Sequence, residues 1–453
     1  MAIVAPFRGI TYNSIFMQEI SRLVTPPYDV ISPEAQEMYH REHPYNVIRL
    51  ILGKKKVGDS DWDNRYTRAA EHFERWEREG ILIRDEKPAI YITSLTYDAG
   101  NGLGEKTRWG FIALVKIEEE GSKVILPHER TFSAHKEDRL KLMRACNANF
   151  SQIFGLYEDS QRRIIKAFQS YTKGPPICSF EFRDKTKHQM WVVHEPEFFQ
   201  LVSKVMANKS IFIADGHHRY ETARNYRNYM RTRYGKRPWN RSYEFVMMYL
   251  TNISDPGLTI LPSHRLIKRV PEFELNRFLE KSASWFHIEE LPLSGNNALE
   301  DAKRIKGALG RNLHKSSILG FYPRGDRRCY IMTLKNGLRD QMGEDLHPSL
   351  KKLDVLVLSR FLLQKGLGFS REELDDDENF HYQSSFTKAL EAIRRGGYEM
   401  AFFLNPTSIE HVKEVASNLL VMPRKSTFFY PKILTGLVFN KIYPHELIEV
   451  PQH

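Results

Sequence analysis

The stretch Ile211-Phe212-Ile213-Ala214-Asp215-Gly216-His217-His218-Arg219-Tyr220-Glu221-Thr222-Ala223 constrains this chain more than any other. Its first four residues are apolar and read as a buried strand. Asp215-Gly216 is a turn signal. Tyr220 to Tyr229, rich in Glu, Ala and Arg, reads as a helix. Two imidazoles and a guanidinium therefore stand where a helix begins. The free N–H groups and the positive dipole end of that helix favour an anion. His217, His218 and Arg219 add side-chain donors. Asp215, at the strand end, is placed to hold a cation or take a proton. An anion-binding helix start beside a carboxylate is a layout for phosphoryl transfer. The structural alternative is a capped helix in which Asp215 serves only as N-cap.

At 453 residues the chain is long for one domain and predicts two or three. Its hydrophobic and charged fractions, 41% and 27%, place it among soluble globular proteins. The three cysteines, Cys146, Cys178 and Cys329, make neither a disulfide framework nor a zinc ribbon, so a reducing cytoplasm is expected. Met1 to Arg8 lacks the apolar stretch of a signal peptide, and no segment approaches the length of a membrane span. A net charge of +11 favours anionic partners, whether phosphates, nucleotides or nucleic acid, without choosing among them.

Periodicity predicts helices over 33 onward (Ser32 as N-cap, Pro33 in the first turn), 64–80, 136–144, 198–206, 273–285, 354–364 and 408–418. Period-two segments predict strands over 45–52, 89–97, 107–118, 123–127, 151–157, 244–250, 258–265 and 400–404, with a hairpin joining 318–322 to 329–335. The main boundary is expected near Arg269, giving a core over 1–268 and a C-terminal α/β domain over 269–453.

The usual nucleotide and metal motifs are missing: there is no G-x-x-x-x-G-K-[ST], no G-x-G-x-x-G and no H-E-x-x-H. A phosphate site must be built from other segments. Leu126-Pro127-His128-Glu129-Arg130-Thr131 crowds titratable groups at a strand end, where an ion pair alone contributes about 0–1 kcal/mol. Pro262-Ser263-His264-Arg265 repeats His-Arg at a strand end. Pro423-Arg424-Lys425-Ser426-Thr427 offers successive donors suited to phosphate oxygens. Pro26-Pro27-Tyr28-Asp29 holds one carboxylate on a stiff support, the requirement of a general base. Arg49 and Arg144 are further cations for an anionic substrate.

Five segments carry a resemblance: Ala5-Pro6-Phe7-Arg8-Gly9, Pro26 to Ser32, Leu126 to Thr131, Ala214 to Ala223 and Pro423 to Thr427. In this order, over nearly the whole chain, they resemble a widespread prokaryotic family long catalogued as a domain of unknown function. Members of it have been assigned as pyrophosphate-dependent kinases of free serine. The Asp-Gly-His-His-Arg element is also similar to that of free serine kinases with a ParB/sulfiredoxin-like fold. The resemblance implies an α+β fold, with a ParB/sulfiredoxin-like core on a mixed or antiparallel sheet and a C-terminal α/β region whose 421–432 segment returns to the site. It implies conversion of L-serine and pyrophosphate to O-phospho-L-serine and phosphate, within amino-acid metabolism such as cysteine biosynthesis.

In that reading Gly216, His217, His218 and Arg219 bind phosphate, with His128, Arg130, Lys425, Ser426 and Thr427 as further donors. His218 also joins the catalytic set. Asp29 is the base on the serine hydroxyl, with Glu129 as the competing carboxylate. Arg49, Arg144 and His264 serve the amino acid, and Asp215 would ligate Mg2+. Two alternatives stay open: an ATP- or ADP-dependent serine kinase, and a ParB-like protein binding nucleotide and DNA. No helix-turn-helix follows the Asp-Gly-His-His-Arg helix, which weighs against the last. The sequence leaves the oligomeric state open.

Overall fold

Two sheets organise the chain, each inside its own unit. The computed structural model describes residues 1–100, 104–129, 133–312, 316–376 and 378–452. One unit comprises Met1–Pro127, Thr131–Thr259 and Pro431–His453; the other comprises His128–Arg130 and Ile260–Tyr430. The division thus falls at Thr259/Ile260, ahead of the Arg269 boundary read from the sequence.

The first unit is built on a nine-stranded sheet. Its strands are β1 (Val4–Ala5), β2 (Ile90–Asp98), β3 (Glu105–Lys116), β4 (Ile125–Leu126), β5 (Ile153–Tyr157), β6 (Cys178–Glu181), β7 (Lys187–Val193), β8 (Ile211–Asp215) and β9 (Phe245–Asn252). The spatial order is β4-β8-β5-β9-β3-β2-β7-β6, with β1 paired to β3. β8 runs parallel to β4, β9 runs parallel to β5, and the remaining pairs are antiparallel. The central strands are buried along their whole length, so they read as continuous apolar runs. Five helices matter to the site: α1 (Pro33–Glu42), α2 (Arg65–Arg78), α3 (Ser133–Cys146), α4 (Pro196–Met206) and α5 (His217–Tyr234). α1 starts as expected, with Ser32 Oγ accepting from Ala35 N at 3.2 Å and Pro33 in the first turn. Val202, Met206, Tyr220, Ala223 and Tyr226 of α4 and α5 share one apolar core with β5, β8 and β9.

The strand expected over 45–52 is instead a helical turn at Ile48–Ile51. Asn46 decides it: its Oδ1 accepts from Ile48 N at 2.9 Å and its Nδ2 donates to Arg22 O at 2.7 Å. A short, mostly apolar run in which Val47, Ile48, Leu50 and Ile51 are all buried has no period to separate strand from helix. The segment expected as one strand over 258–265 is broken at Pro262 into Thr259–Leu261 and His264–Ile267.

The second unit has a six-stranded sheet. Its strands are β10 (His264–Ile267), β11 (Phe286–Pro292), β12 (Ile318–Pro323), β13 (Arg328–Leu334), β14 (Phe380–Gln383) and β15 (Met400–Phe403). They lie in the order β11-β13-β12-β15-β10-β14, with every pair antiparallel. Both faces are covered. Leu319, Phe321, Met332 and Phe402 enter one cluster, whereas Ile318, Tyr322, Ile331 and Phe403 enter another with helices α6 (Ala298–Leu309) and α7 (Phe386–Arg394). The helix expected over 354–364 is α-helical at Asp354–Val357 and continues as a π-helix over Leu358–Gly366.

All three cysteines are buried and free. Among the described residues no helix is long and apolar enough to cross a membrane.

Candidate functional site

The first unit places Asp215 at the last position of β8. A register irregularity between Ile213 and Asp215 precedes the turn, and such bulges re-aim a side chain. Gly216 follows at φ +92°, as the N-cap of α5. A Cβ at Gly216 would stand 2.9 Å from Arg219 Nε, so the turn needs glycine twice over, for its backbone and for its space. His217 is then the first helical residue and is buried; His218 and Arg219 are half-buried.

Asp215 accepts at both carboxylate oxygens. Arg219, one helical turn on, donates to Oδ2, and Lys432 donates to Oδ1. The other amino group of Arg219 donates to the backbone carbonyl of Gln152, at the edge of β5. Burial pushes the Asp215 carboxyl up, but the Lys432 ammonium and the Arg219 guanidinium outweigh it, with His217 assisting. The group is held well below the usual carboxylate range.

Asp215, the carboxylate for which a metal role is expected, meets two cations in the structure. Both of its oxygens face cations, and no cluster of three or more His, Cys, Asp or Glu side chains suited to a metal occurs among the described residues. Asp215 is a single carboxylate, and magnesium is commonly held by one or two carboxylates together with substrate phosphate oxygens.

A second layer stands beside Arg219. The Pro26-Pro27 support leads into a 3-10 turn, Tyr28–Val30, that carries Asp29 exposed on its surface. The Arg139 guanidinium lies 4.1 Å over the Tyr28 ring. Arg139 is fixed in turn by Asp138 Oδ2 at 2.7 Å from its Nε and by the Ile51 carbonyl at 2.7 Å. Asp138 also accepts from Tyr66 Oη at 2.6 Å. Burial pushes the Tyr28 phenol up to about 12 against the pull of Arg139; Asp29 and Arg219 act on the same phenol. The turn that carries Asp29 and the start of α5 thus share an electrostatic neighbourhood. Lys136 bonds Glu221 at 2.8 Å, tying α3 to α5.

Two predicted substrate cations lie elsewhere in this unit. Arg49 donates to the carbonyls of His43 at 2.9 Å and His40 at 2.8 Å, where it closes the end of α1. Arg144 is exposed, with its guanidinium 4.2 Å over the Tyr229 ring.

The second unit gathers the other predicted donors. His128 is buried, its Nε2 lies 3.0 Å from Thr427 Oγ1, and its carbonyl accepts from Met422 N at 2.7 Å. Thr427 Oγ1 is 3.4 Å from Glu129 Oε1. Ser426 Oγ donates to Pro423 O at 2.7 Å, and Lys425 has φ +53°. Arg265, which the sequence reading passed over for His264, organises this loop. It donates to Ser263 O at 2.6 Å, Ser263 Oγ at 2.8 Å and Lys425 O at 3.1 Å, under the Tyr382 ring. Arg130 lies outside the described residues.

His264 itself is a core residue. It is wholly buried, its ring centroid is 4.1 Å from that of Phe386, and its Nδ1 accepts from Leu404 N at 3.2 Å. Burial pulls its imidazole down to about 3. Lys432 and Tyr28 were also not singled out from the sequence. The available signal was that each belongs to a segment already marked by neighbouring polar residues.

The family described as protein of unknown function, DUF1015, matches residues 4–356. No curated protein matches the chain. Among solved structures, it is similar to a mutant free serine kinase in complex with AMP, at 11% identity and a TM-score of 0.35, covering 74% of this chain and 93% of that one. A second mutant free serine kinase, in complex with ADP, matches at 11% identity and a TM-score of 0.35, covering 76% and 95%. A conserved hypothetical protein from Pyrococcus furiosus matches at 12% identity and 0.31, covering 71% and 92%.

Proposed function

This chain belongs to the DUF1015 family, and we propose that it is a kinase that phosphorylates free L-serine to O-phospho-L-serine, with inorganic pyrophosphate as donor. The observation that carries the reading is the cation-clamped Asp215 at the start of α5. Arg219 and Lys432 gather positive charge where helix N–H groups and two imidazoles already favour phosphate. Pyrophosphate is all charge, and its site needs donors in number without a base-stacking pocket.

In the reaction the serine oxygen bonds to one phosphorus, the bridging P–O bond breaks, and inorganic phosphate leaves with the bridging oxygen. The proton of the serine hydroxyl passes to a carboxylate, which we assign to Asp29, with Glu129 as the alternative. Arg219, His217, His218 and the first N–H groups of α5 offset the charge on the transferring group; most of the work is positioning and neutralisation. Asp215 acts through Arg219, which it orients. His128, Lys425, Ser426 and Thr427 belong to the reading as a second set of phosphate donors. A ParB/sulfiredoxin-like core is part of the proposal, supported by the strand–turn–helix around Asp215. Three buried free cysteines suit a reducing cytoplasm.

The purified chain, incubated with L-serine and magnesium salts, should yield O-phosphoserine with pyrophosphate. Product with ATP or ADP alone would move the donor to a nucleotide. No product with any donor would overturn the reading, and salt-dependent DNA binding would be tested next.

A further inference from the structure

Beside Arg219 the first unit holds a partly open cavity of about 60 Å³. Its walls include the apolar side chains Leu142, Ile153 and Val246, and its polar lining includes Tyr28, Arg139, Arg219 and Thr222. Thr222 lies on α5, one turn past His218, and is 2% exposed. Its hydroxyl is buried with no hydrogen-bond partner. An orphaned buried hydroxyl costs on the order of 1–3 kcal/mol in desolvation, so a chain has reason to keep one where a ligand completes it. An idle methyl at that position would fill the same space without the cost.

The size restricts the occupant. One water needs roughly 10–15 Å³ of such space, so the cavity holds about four to six water-sized centres. That is the scale of a small amino acid and far below the ~300 Å³ of the smaller pockets that take drug-sized ligands. Two guanidinium groups in the lining favour a carboxylate. Apolar walls suit a short carbon skeleton.

We propose that this cavity seats the hydroxy amino acid, that Thr222 Oγ1 hydrogen-bonds it, and that the Val246 wall excludes a substrate one methyl larger. This rests on the kinase reading above and names the acceptor subsite of it. Because Arg219 lines the cavity and also clamps Asp215 at the start of α5, an acceptor held there lies next to the phosphate-binding end of the helix.

The test compares L-serine with L-threonine in the pyrophosphate assay, using the full chain and three variants. Thr222→Val keeps the shape and removes the hydroxyl; it should raise KM for L-serine roughly three- to tenfold, with KM for pyrophosphate unchanged. Thr222→Ser restores the hydroxyl and should restore KM. Val246→Ala should raise the L-threonine to L-serine ratio of kcat/KM by about tenfold or more. Unchanged KM in Thr222→Val together with an unchanged ratio in Val246→Ala would overturn the subsite while leaving the kinase intact. If the unaltered chain makes no O-phosphoserine from any donor, the kinase reading fails separately. L-serine binding by calorimetry then decides the cavity: heat lost in Thr222→Val supports the subsite, and no heat with the unaltered chain overturns it.

Discussion

Lys432 donates to Oδ1 of Asp215 across 217 residues of sequence. The carboxylate that ends β8 is therefore completed by the last segment of its unit. Because its folded pKa is depressed, Asp215 contributes stability that is fully present above the ordinary carboxylate value of about 3.9 and lost only as pH falls through the lower folded value. Lys432→Met removes one of the two cations and lets burial dominate. The variant should be less stable at pH 7 by about 3 kcal/mol and should start losing stability at higher pH than the parent. Urea unfolding at pH 7, 5 and 4 checks both. Parallel curves for parent and variant would show that the contact carries no such weight.

His264 adds acid sensitivity of the same sign from a group that is neutral in the fold. Its folded pKa is pulled down to about 3 by burial, against about 6.5 when unfolded. Between those values the unfolded chain binds the extra proton, so stability falls as pH drops through that window. The limiting slope is about 1.4 kcal/mol per pH unit for one such group. His264→Phe, set against Phe386 and Phe403, loses the acceptor for Leu404 N and should cost about 1–3 kcal/mol at pH 7. It should also flatten the decline between pH 6 and 4. A decline as steep as the parent's would assign the acid sensitivity to other groups.

These two residues also show what a sequence can and cannot disclose. The strand ending at Asp215 and the helix starting at His217 were legible because apolar run, turn and helix each have a local signal. His264 looked like a site residue because a strand-end His-Arg pair gives no clue to burial. In the structure the neighbouring Arg265 holds the loop and His264 packs against aromatic rings. Lys432 ends the 421–432 segment expected to return to the site, but its partner is fixed only by long-range packing. The segment around Arg49 is a helical turn and not a strand, since Asn46 Oδ1 accepts from Ile48 N.

Arg265 should behave as a positioning residue. Its guanidinium spans Ser263 and the Lys425 carbonyl, a fork that a single ammonium cannot reproduce. Arg265→Lys should cost roughly 2–4 kcal/mol, as buried acceptors lose charged donors. In the pyrophosphate assay it should raise KM for pyrophosphate more than it lowers kcat. Equal stability to the parent in chemical unfolding would remove Arg265 from this role.

Asp29 is exposed on its turn, so Asp29→Asn should change stability by no more than about 0.5 kcal/mol. As general base it should lower kcat by about 10²–10⁴-fold while leaving KM near the parent value. Glu129→Gln, measured alongside, should show the smaller loss. The reverse ranking would transfer the base to Glu129.

Gly216 and Gly235 bracket α5, both at positive φ, +92° and +82°. Alanine at Gly216 meets the left-handed penalty of about 1–2 kcal/mol, and at Gly235, where ψ is 174°, it meets a region that essentially only glycine occupies. The surroundings differ. At Gly235 an added methyl meets nothing within 4 Å, whereas at Gly216 it would sit 2.9 Å from Arg219 Nε and 3.0 Å from its Cζ. Gly216→Ala must therefore displace the guanidinium that holds Asp215 Oδ2. Both variants should lose stability, yet only Gly216→Ala should lose kcat/KM, by at least tenfold if the clamp positions the phosphoryl group. Thermal unfolding and the O-phosphoserine assay on both proteins separate backbone strain from the clamp. Equal activity losses would mean that the helix ends matter only for folding, and an active Gly216→Ala would detach Arg219 from the chemistry.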